Sequence, residues 1–385
     1  MMCSGIWLQS LRNFNGKLKG KVRLEKDYMN VTKDDHTRIP VGVLGATGAV
    51  GQRFVQLLEG HPWFEVVSIS GSDRTAGMRY GEGCHWVLPE PMPERLRDAK
   101  INKSIPDEMG VKLVFSALPG KKALNLEPEF ARAGVAVCSN ASAFRPEPDV
   151  PILLPEVNPG HINIIPAQRT KRGWSGCIVT NSNCTSTGMT IVLKALEDAF
   201  GIGRVFAVSL QALSGAGYPG VASLDILDNV IPYVPGEEEK VEWEPRKMLG
   251  KVVSQEIEPA DFIMSVHTNR VPVSDGHLVC LSLELEDKAD ENAVIAALER
   301  YQAPPASKNL PSTPKPVILY RKESDRPQPR LDRMAGKGMT TVVGRVRPDP
   351  LFDYKLVVLS HNTIRGAAGG SIYNAELLVD CGYIG

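Results

Sequence analysis

Asn181 to Gly188 read NSNCTSTG, a cysteine among small polar residues just ahead of an apolar run, Met189 to Phe200, with helical spacing. A thiol at a helix start meets unpaired backbone N–H groups and the positive end of the helix dipole, which favour the thiolate. Cys184 is therefore a candidate nucleophile for acyl chemistry. The competing reading is a small buried thiol beside a helix cap, and the octapeptide alone does not separate the two.

A thiol mechanism needs an acid/base partner, and imidazole titrates near neutrality, which makes His277 in VPVSDGH a candidate among seven histidines. Arg270, on the run leading to that turn, has the two-point geometry that binds a carboxylate; alone it would read as a surface ion pair. Seven residues separate them, and odd spacing on one regular strand puts two side chains on opposite faces. The turn must redirect His277 if both face one pocket. SLQALSGAGYPG, Ser209 to Gly220, adds Gln211 and a glycine-rich turn, which by itself is also compatible with a plain loop.

A second kind of chemistry lies near the start. Val41 to Leu44 is a β-branched run, GATGAVG follows from Gly45 to Gly51, and QRFVQLLEG has helical spacing. Strand, glycine turn and helix form a dinucleotide-binding unit in which the glycines let a pyrophosphate approach the helix N-terminus. The spacing departs from the common GxGxxG. At the tip of the next strand, GSDRTAG offers Ser72, Arg74 and Thr75, cationic and hydroxyl groups suited to the 2′-phosphate of NADP, with Asp73 as the dissenting residue.

The elements that must position these groups fall into two patterns. Strands at 41–44, 66–70, 111–116 and 135–138 alternate with helices after Gly51 and over 121–133, which predicts an α/β, Rossmann-type parallel sheet. Beyond Thr180 the helix over 189–200 leads to a strand over 204–213. Strands over 262–273 and 278–285 follow, joined by the Asp-Gly turn signal of VSDGH. A helix over 289–301 and strands over 340–347 and 354–359 complete an α+β domain on a largely antiparallel sheet, whose open face is suited to a partner subunit. Gly236 to Glu244, rich in charge, and Ala303 to Arg330, rich in proline and basic residues, read as surface excursions. The terminal GAAGGSIYNAELLVDCG reads as a small-residue turn and helix packing back on the first domain. The boundaries are then an N-terminal extension at 1–37, a cofactor domain at 38–181 completed by 362–385, and a catalytic and dimerisation domain at 182–361.

Composition excludes several classes. Lys plus Arg equals Asp plus Glu at 44 each, so no basic field points to nucleic acid or an anionic membrane. No apolar run is long enough to span a bilayer. Seven scattered cysteines without a CxxC pair argue against a disulfide framework or zinc cluster and for a reducing, cytoplasmic compartment. The basic extension has some bias of a mitochondrial transit peptide, but its few serines and the acids Glu25 and Asp27 favour a disordered segment or a start at Met29.

Together GATGAVG, SNASAFR, PEVN, SNCTSTG, LQALSGAGYPG, EEEK, RVPVSDGH and the terminal GAAGG run resemble aspartate-semialdehyde dehydrogenase, in the branch found in archaea and fungi. The resemblance runs from Pro40 to the C-terminus. It implies a glyceraldehyde-3-phosphate-dehydrogenase-like fold and NADPH-dependent reductive dephosphorylation of L-aspartyl 4-phosphate to L-aspartate 4-semialdehyde, on the route to lysine, threonine and methionine. It also implies a homodimer or a pair of dimers. By the same resemblance Cys184 is the nucleophile and His277 the acid/base. Gln211 orients the acyl group, Arg270 binds the α-carboxylate and Glu237 the α-amino group, while Arg145 and Lys240 bind phosphate. Gly45, Thr47, Gly48, Ala49, Val50, Ser72, Arg74, Thr75, Ser214, Gly215 and Asn362 fall on the cofactor, and Asn183 or nearby backbone N–H groups on the oxyanion. EEEK leaves open which glutamate faces the pocket. N-Acetyl-glutamyl-phosphate reductase and malonyl-CoA reductase share the thiol chemistry; the first lacks a substrate ammonium for EEEK, and no coenzyme A site is recognisable for the second. A non-catalytic NADP-binding sensor would have no need of Cys184, His277 and Arg270 together.

Overall fold

The computed structural model describes residues 38–384; the extension at 1–37, with the targeting and start-site expectations that fall on it, lies outside the described residues. Six strands form the first sheet: β1 Ile39–Leu44, β2 Phe64–Ser70, β3 Ile101–Asn102, β4 Leu113–Ser116, β5 Ala136–Ser139 and β6 Cys177–Thr180. Their order is β3-β2-β1-β4-β5-β6, with every pairing parallel. Strand β4 shows why so short an apolar run suffices. Leu113 and Phe115 enter one core cluster, Val114 the other, so the strand is buried on both faces. Helix α1, Ala49–Leu57, and the C-terminal helix Gly369–Asp380 cover the first face through Phe54, Val55, Ile372, Tyr373 and Leu377, while α2, Gly120–Arg132, covers the second through Phe130 and Ala131.

The glycine turn joins β1 to α1. Gly51 sits where a Cβ would come within 2.2 Å of the Gly45 carbonyl oxygen, so the strand and the helix approach as closely as they do only because that position has no side chain.

The second sheet contains β7 Ile202–Gln211, β10 Ile263–Arg270, β11 His277–Leu285, β12 Ile318–Arg321, β13 Thr341–Pro348 and β14 Tyr354–Ser360; β8 Lys251–Val253 and β9 Glu256–Glu258 form a separate hairpin. Its order is β10-β7-β11-β14-β13-β12, and it is mixed: β10 runs parallel to β7 and β12 parallel to β13, while the three central pairings are antiparallel. The tight-turn expectation at VSDGH is therefore corrected. Strands β10 and β11 do not pair, because β7 lies between them, and residues 271–276 cross over its end. Helix α3, Cys184–Phe200, and α5, Glu291–Arg300, bury Met189, Leu193, Leu196, Val294 and Leu298 against Val279, Leu281 and Leu283 on one face of this sheet.

The two expected surface excursions are also corrected. Residues Glu237–Met248 form helix α4, with Glu237, Val241, Glu244 and Met248 buried. Those positions follow the 3.6-residue period, and the charge is not confined to the wet face because Glu237 and Glu244 find partners inside. In the proline-rich stretch, Ser307, Leu310, Val317 and Ile318 are buried; the Ser307 carbonyl accepts from the Tyr373 hydroxyl at 2.9 Å, tying the stretch to the C-terminal helix.

That helix is preceded by a wide turn, Ile364–Ala368, in which Arg365 is fully buried. Its Nε donates to Glu156 Oε1 at 3.0 Å, and Glu156 is equally buried. An ion pair taken wholly out of water adds little net stability, but losing one partner leaves a bare charge inside. Arg365→Met should lower unfolding stability by about 3–5 kcal/mol in a denaturant titration, and adding Glu156→Gln should recover part of that loss; additive losses would contradict the pairing.

Candidate active site

Asn183 starts α3. Its Oδ1 accepts from the N–H groups of Thr185 at 2.8 Å and Ser186 at 3.3 Å, while its Nδ2 donates to Glu237 Oε1. This capping places Cys184 at the first helical position, five residues earlier than the apolar run. Because Asn183 is committed to the cap and to Glu237, the backbone N–H of Cys184 is the better oxyanion donor of the two groups expected. Behind the thiol stands Gly366, where a Cβ would lie 2.8 Å from Cys184 Cβ; the turn at 364–368 abuts the nucleophile only without a side chain.

Cys184 Sγ lies 3.2 Å from His277 Nε2, and His277 Nδ1 accepts from the backbone N–H of Ala212 at 3.0 Å. His277 begins β11 and Arg270 ends β10, so the odd spacing between them is resolved by tertiary pairing rather than by a redirected turn. Arg270 pairs with Gln211 across one ladder, and Leu278 with Leu210 across the other. Arg270, Gln211 and His277 consequently form one rank across three adjacent strands and share a face. Arg270 Nη1 donates to the Ala212 carbonyl at 2.7 Å, and Gln211 is buried beside Ser209.

Helix α4 supplies the rest. Glu238 accepts from Thr268 N–H on β10 and Glu239 is exposed, so Glu237 is the glutamate of EEEK that faces the thiol. Lys240 Nζ stands 3.9 Å from Glu237 and remains partly exposed. One turn further on is Glu244, which is not among the expected site residues and is fully buried. It accepts from Asn183 N–H at 2.6 Å and from Arg145 Nη1 at 2.9 Å. Lys247 donates to the carbonyls of Arg145, Glu147 and Val150 at 2.6, 2.6 and 2.9 Å. Arg145 is thus held by side chain and backbone, with its buried Nε left without a partner. The i, i+7 spacing of Glu237 and Glu244 on one helix face was the available signal.

Electrostatics divide the site. Burial pushes the Cys184 thiol up to about 12 and Glu237 adds to the rise, whereas Arg145, Arg270 and the residue's own N–H lower it. Burial pulls His277 down to about 3, with Arg270 and His361 acting the same way, so its imidazole is neutral at physiological pH.

The cofactor positions gather at the C-terminal ends of the parallel strands. A cleft of about 630 Å³ is lined by Gly45, Thr47, Gly48, Ser72 and Arg74, with Lys103, Lys121 and Lys122 adding cations. Gly48 begins α1 without a side-chain cap, leaving the helix N-terminus open to a phosphate. Thr75 lies behind this cleft, its hydroxyl donating to the Ser72 carbonyl at 3.1 Å. Ala49, Val50 and Ser214 line a neighbouring cleft of about 310 Å³. Asn362 ties the crossover to the glycine-rich loop: its Oδ1 accepts from Gly276 N–H and its Nδ2 donates to Ser214 Oγ at 2.8 and 2.7 Å. Gly215 packs against Arg270 and His277. These residues fit a phosphorylated dinucleotide.

A parallel sheet with an open glycine-turn helix, joined to a mixed sheet that presents a thiol, an imidazole and a guanidinium, defines a thiol-dependent nicotinamide dehydrogenase. Residues 40–165 match the family described as "Semialdehyde dehydrogenase, NAD binding domain", and 193–365 match "Semialdehyde dehydrogenase, dimerisation domain". The chain is 49% identical to the aspartate-semialdehyde dehydrogenase of Archaeoglobus fulgidus, across 89% of this chain and 98% of that protein. It is 45% identical to that of Schizosaccharomyces pombe, across 89% and 98%. The crystal structure of the Candida albicans enzyme with NADP superposes with a TM-score of 0.83 at 42% identity, covering 90% of this chain and all of that one. The chain belongs to the aspartate-semialdehyde dehydrogenase family.

Glu237→Gln removes a charge that raises the Cys184 pKa, so the thiolate fraction below that pKa should grow. Iodoacetamide alkylation at pH 7.5 should accelerate about three- to tenfold in the variant while turnover falls; an unchanged or slower rate would remove Glu237 from the thiol's field.

Proposed function

We propose that the chain catalyses NADPH-dependent reductive dephosphorylation of L-aspartyl 4-phosphate to L-aspartate 4-semialdehyde, in reverse a phosphorylating oxidation. The observation that carries this reading is the joint placement of Cys184, His277, Arg270 and Glu237 around one space. A thiol and imidazole alone would serve many acyl substrates. A cation and an anion beside them suit the α-carboxylate and α-ammonium of a free amino acid, which an N-acetylated substrate would lack.

Cys184 Sγ adds to the acyl carbon while Arg145 and Lys240 hold the phosphate. Arg145 is suited to this because Glu244 and Lys247 fix it and its Nε is unpartnered. NADPH, when bound in the glycine-turn cleft, supplies the hydride that reduces the thioester. Gln211 and the Cys184 N–H orient the acyl oxygen, and His277, with Nε2 3.2 Å from Sγ, serves as the acid/base. Ser72 and Arg74 select the 2′-phosphate, and Thr75, the third residue expected there, braces the Ser72 backbone behind them.

We assign 38–181 with 362–385 to the cofactor domain and 182–361 to the catalytic and dimerisation domain. Support comes from the core clusters: Ile372, Tyr373 and Leu377 share the first sheet's core, and α3 shares the second sheet's. Assembly as a homodimer or a pair of dimers through the second sheet is part of the same reading, as is a cytoplasmic location. No described helix is long and apolar enough to cross a membrane.

The test is NADP reduction with L-aspartate 4-semialdehyde, with and without phosphate, beside N-acetyl-glutamate semialdehyde and NAD. Phosphate-dependent reduction with the first substrate is expected, and its absence would sink the assignment. Cys184→Ala should keep NADPH binding and lose turnover; substantial residual activity would remove Cys184 from the mechanism. Arg270→Leu should lose substrate binding and keep cofactor affinity, and weakened NADPH binding alone would contradict its role.

A further inference from the structure

Strand β10 ends the second sheet, and among the described residues β7 is the one strand that pairs with it. An open edge leaves a row of backbone N–H groups to be met. Val266, Thr268 and Arg270 present theirs on the outer side, and the segment 231–246 answers all three. Arg270 N–H donates to the Ile231 carbonyl at 2.8 Å, Thr268 N–H to Glu238 Oε1 at 2.9 Å and Val266 N–H to Glu242 Oε1 at 3.2 Å. Beyond them Ala260 N–H donates to the Arg246 carbonyl at 2.8 Å, and Arg246 Nε to the Ala260 carbonyl at 3.1 Å.

The match is one of register. Four helical residues rise about 6 Å and two strand residues about 6.7 Å, so carboxylates at i and i+4 of α4 reach N–H groups at alternate residues of β10. Helix and strand run in opposite directions, and a one-residue slip of either would break both bonds. The inner face of α4 is held differently. There Glu237 accepts from Asn183 Nδ2 and Glu244 from Arg145, and Glu237 and Arg145 are themselves the proposed ligands of the substrate ammonium and phosphate. Contacts on that face are shared with substrate. Glu238 and Glu242 bond instead to Thr268 and Val266, whose hydrogen-bonding groups have no part in the proposed chemistry, so their hold on the helix does not change with what occupies the site.

We propose that Glu238 and Glu242 are positioning residues for amino-acid recognition: by hanging α4 from the edge of β10 they set the distance between the Glu237 carboxylate and the Arg270 guanidinium. This rests on the reading of those two groups as ligands of the α-ammonium and the α-carboxylate. An ammonium and a carboxylate on one carbon allow their partners little latitude in spacing, and here the partners sit on separate elements. Glu238 adjoins Glu237 on the helix, and Thr268 lies on the strand that ends in Arg270, so the bond between them ties the two ligands together by the shortest route. The thiol on α3, His277 on β11 and the glycine-turn cleft lie outside that link. Loosening it should weaken the grip on the amino-acid end of the substrate and leave cofactor binding alone.

The experiment compares the double variants Glu238→Ala/Glu242→Ala and Glu238→Gln/Glu242→Gln in the full chain. A glutamine amide oxygen accepts an N–H as a carboxylate does, and alanine offers no acceptor. In the alanine pair the KM for L-aspartate 4-semialdehyde should rise about tenfold, with kcat within about threefold and the KM for NADP unchanged. The glutamine pair should bring that KM back to within about threefold of wild type. Hydrogen exchange at the Val266 and Thr268 amides should quicken in the alanine pair and stay slow in the glutamine pair. A KM that holds while those amides open, or a loss that glutamine does not restore, would overturn the proposal. Equal losses in kcat and in both KM values would also overturn it, since that is the pattern of general damage. If the alanine pair does not fold, Glu242→Ala alone carries the test, with a rise in KM of about threefold. A wild-type chain that does not turn over L-aspartate 4-semialdehyde would instead refute the functional reading, and the exchange data would still decide whether the two glutamates hold the helix.

Discussion

A helix that begins inside the protein exposes backbone N–H groups where water cannot reach all of them, and the site is organised by how those groups are met. Helix α3 starts between the two sheets. Asn183 takes two of the amides, Glu244 takes the one from Asn183 itself, and the N–H of Cys184 stays beside its own sulfur. Because Glu244 also holds Arg145, the acceptor that completes the cap is the one that fixes the proposed phosphate ligand. Cap and binding site share a single carboxylate.

The same economy holds across the sheet. Ala212 contributes no functional side chain, yet its N–H orients His277 and its carbonyl orients Arg270. Strand β7 thereby aligns groups from both neighbours, with Gln211 between them. Asn362 extends the alignment by bonding the turn at Gly276 and the loop at Ser214, which lines the cleft beside α1. The thiol, Arg270, Gln211 and the cleft beside α1 are linked through short backbone-directed contacts, which are stiff and set distances closely.

The thiol's field is a contest. Burial and Glu237 oppose the thiolate, while Arg145 and Arg270 favour it. Each of those three charged residues is also a proposed substrate ligand, so occupancy of the site alters the charge balance around sulfur. The helix start that first suggested a thiolate is only one contribution, and burial outweighs it.

The sequence by itself determined the chemistry and the local elements: Cys184 at a helix start, the glycine turn, the alternation of the first sheet and the family's motifs are read from neighbouring residues, whose geometry is fixed by short-range rules. It misjudged VSDGH and the stretches Gly236 to Glu244 and Ala303 to Arg330. An Asp-Gly signal favours a tight turn but does not reveal that β7 separates the flanking strands, and a charged run looks wet until Glu244 is seen between Arg145 and Asn183. Tertiary structure alone decided the rank of Arg270, Gln211 and His277, the choice of Glu237 among three glutamates and the Ala212 bond to His277. These depend on pairings between distant segments, 65 residues apart for Ala212 and His277, which local spacing does not encode.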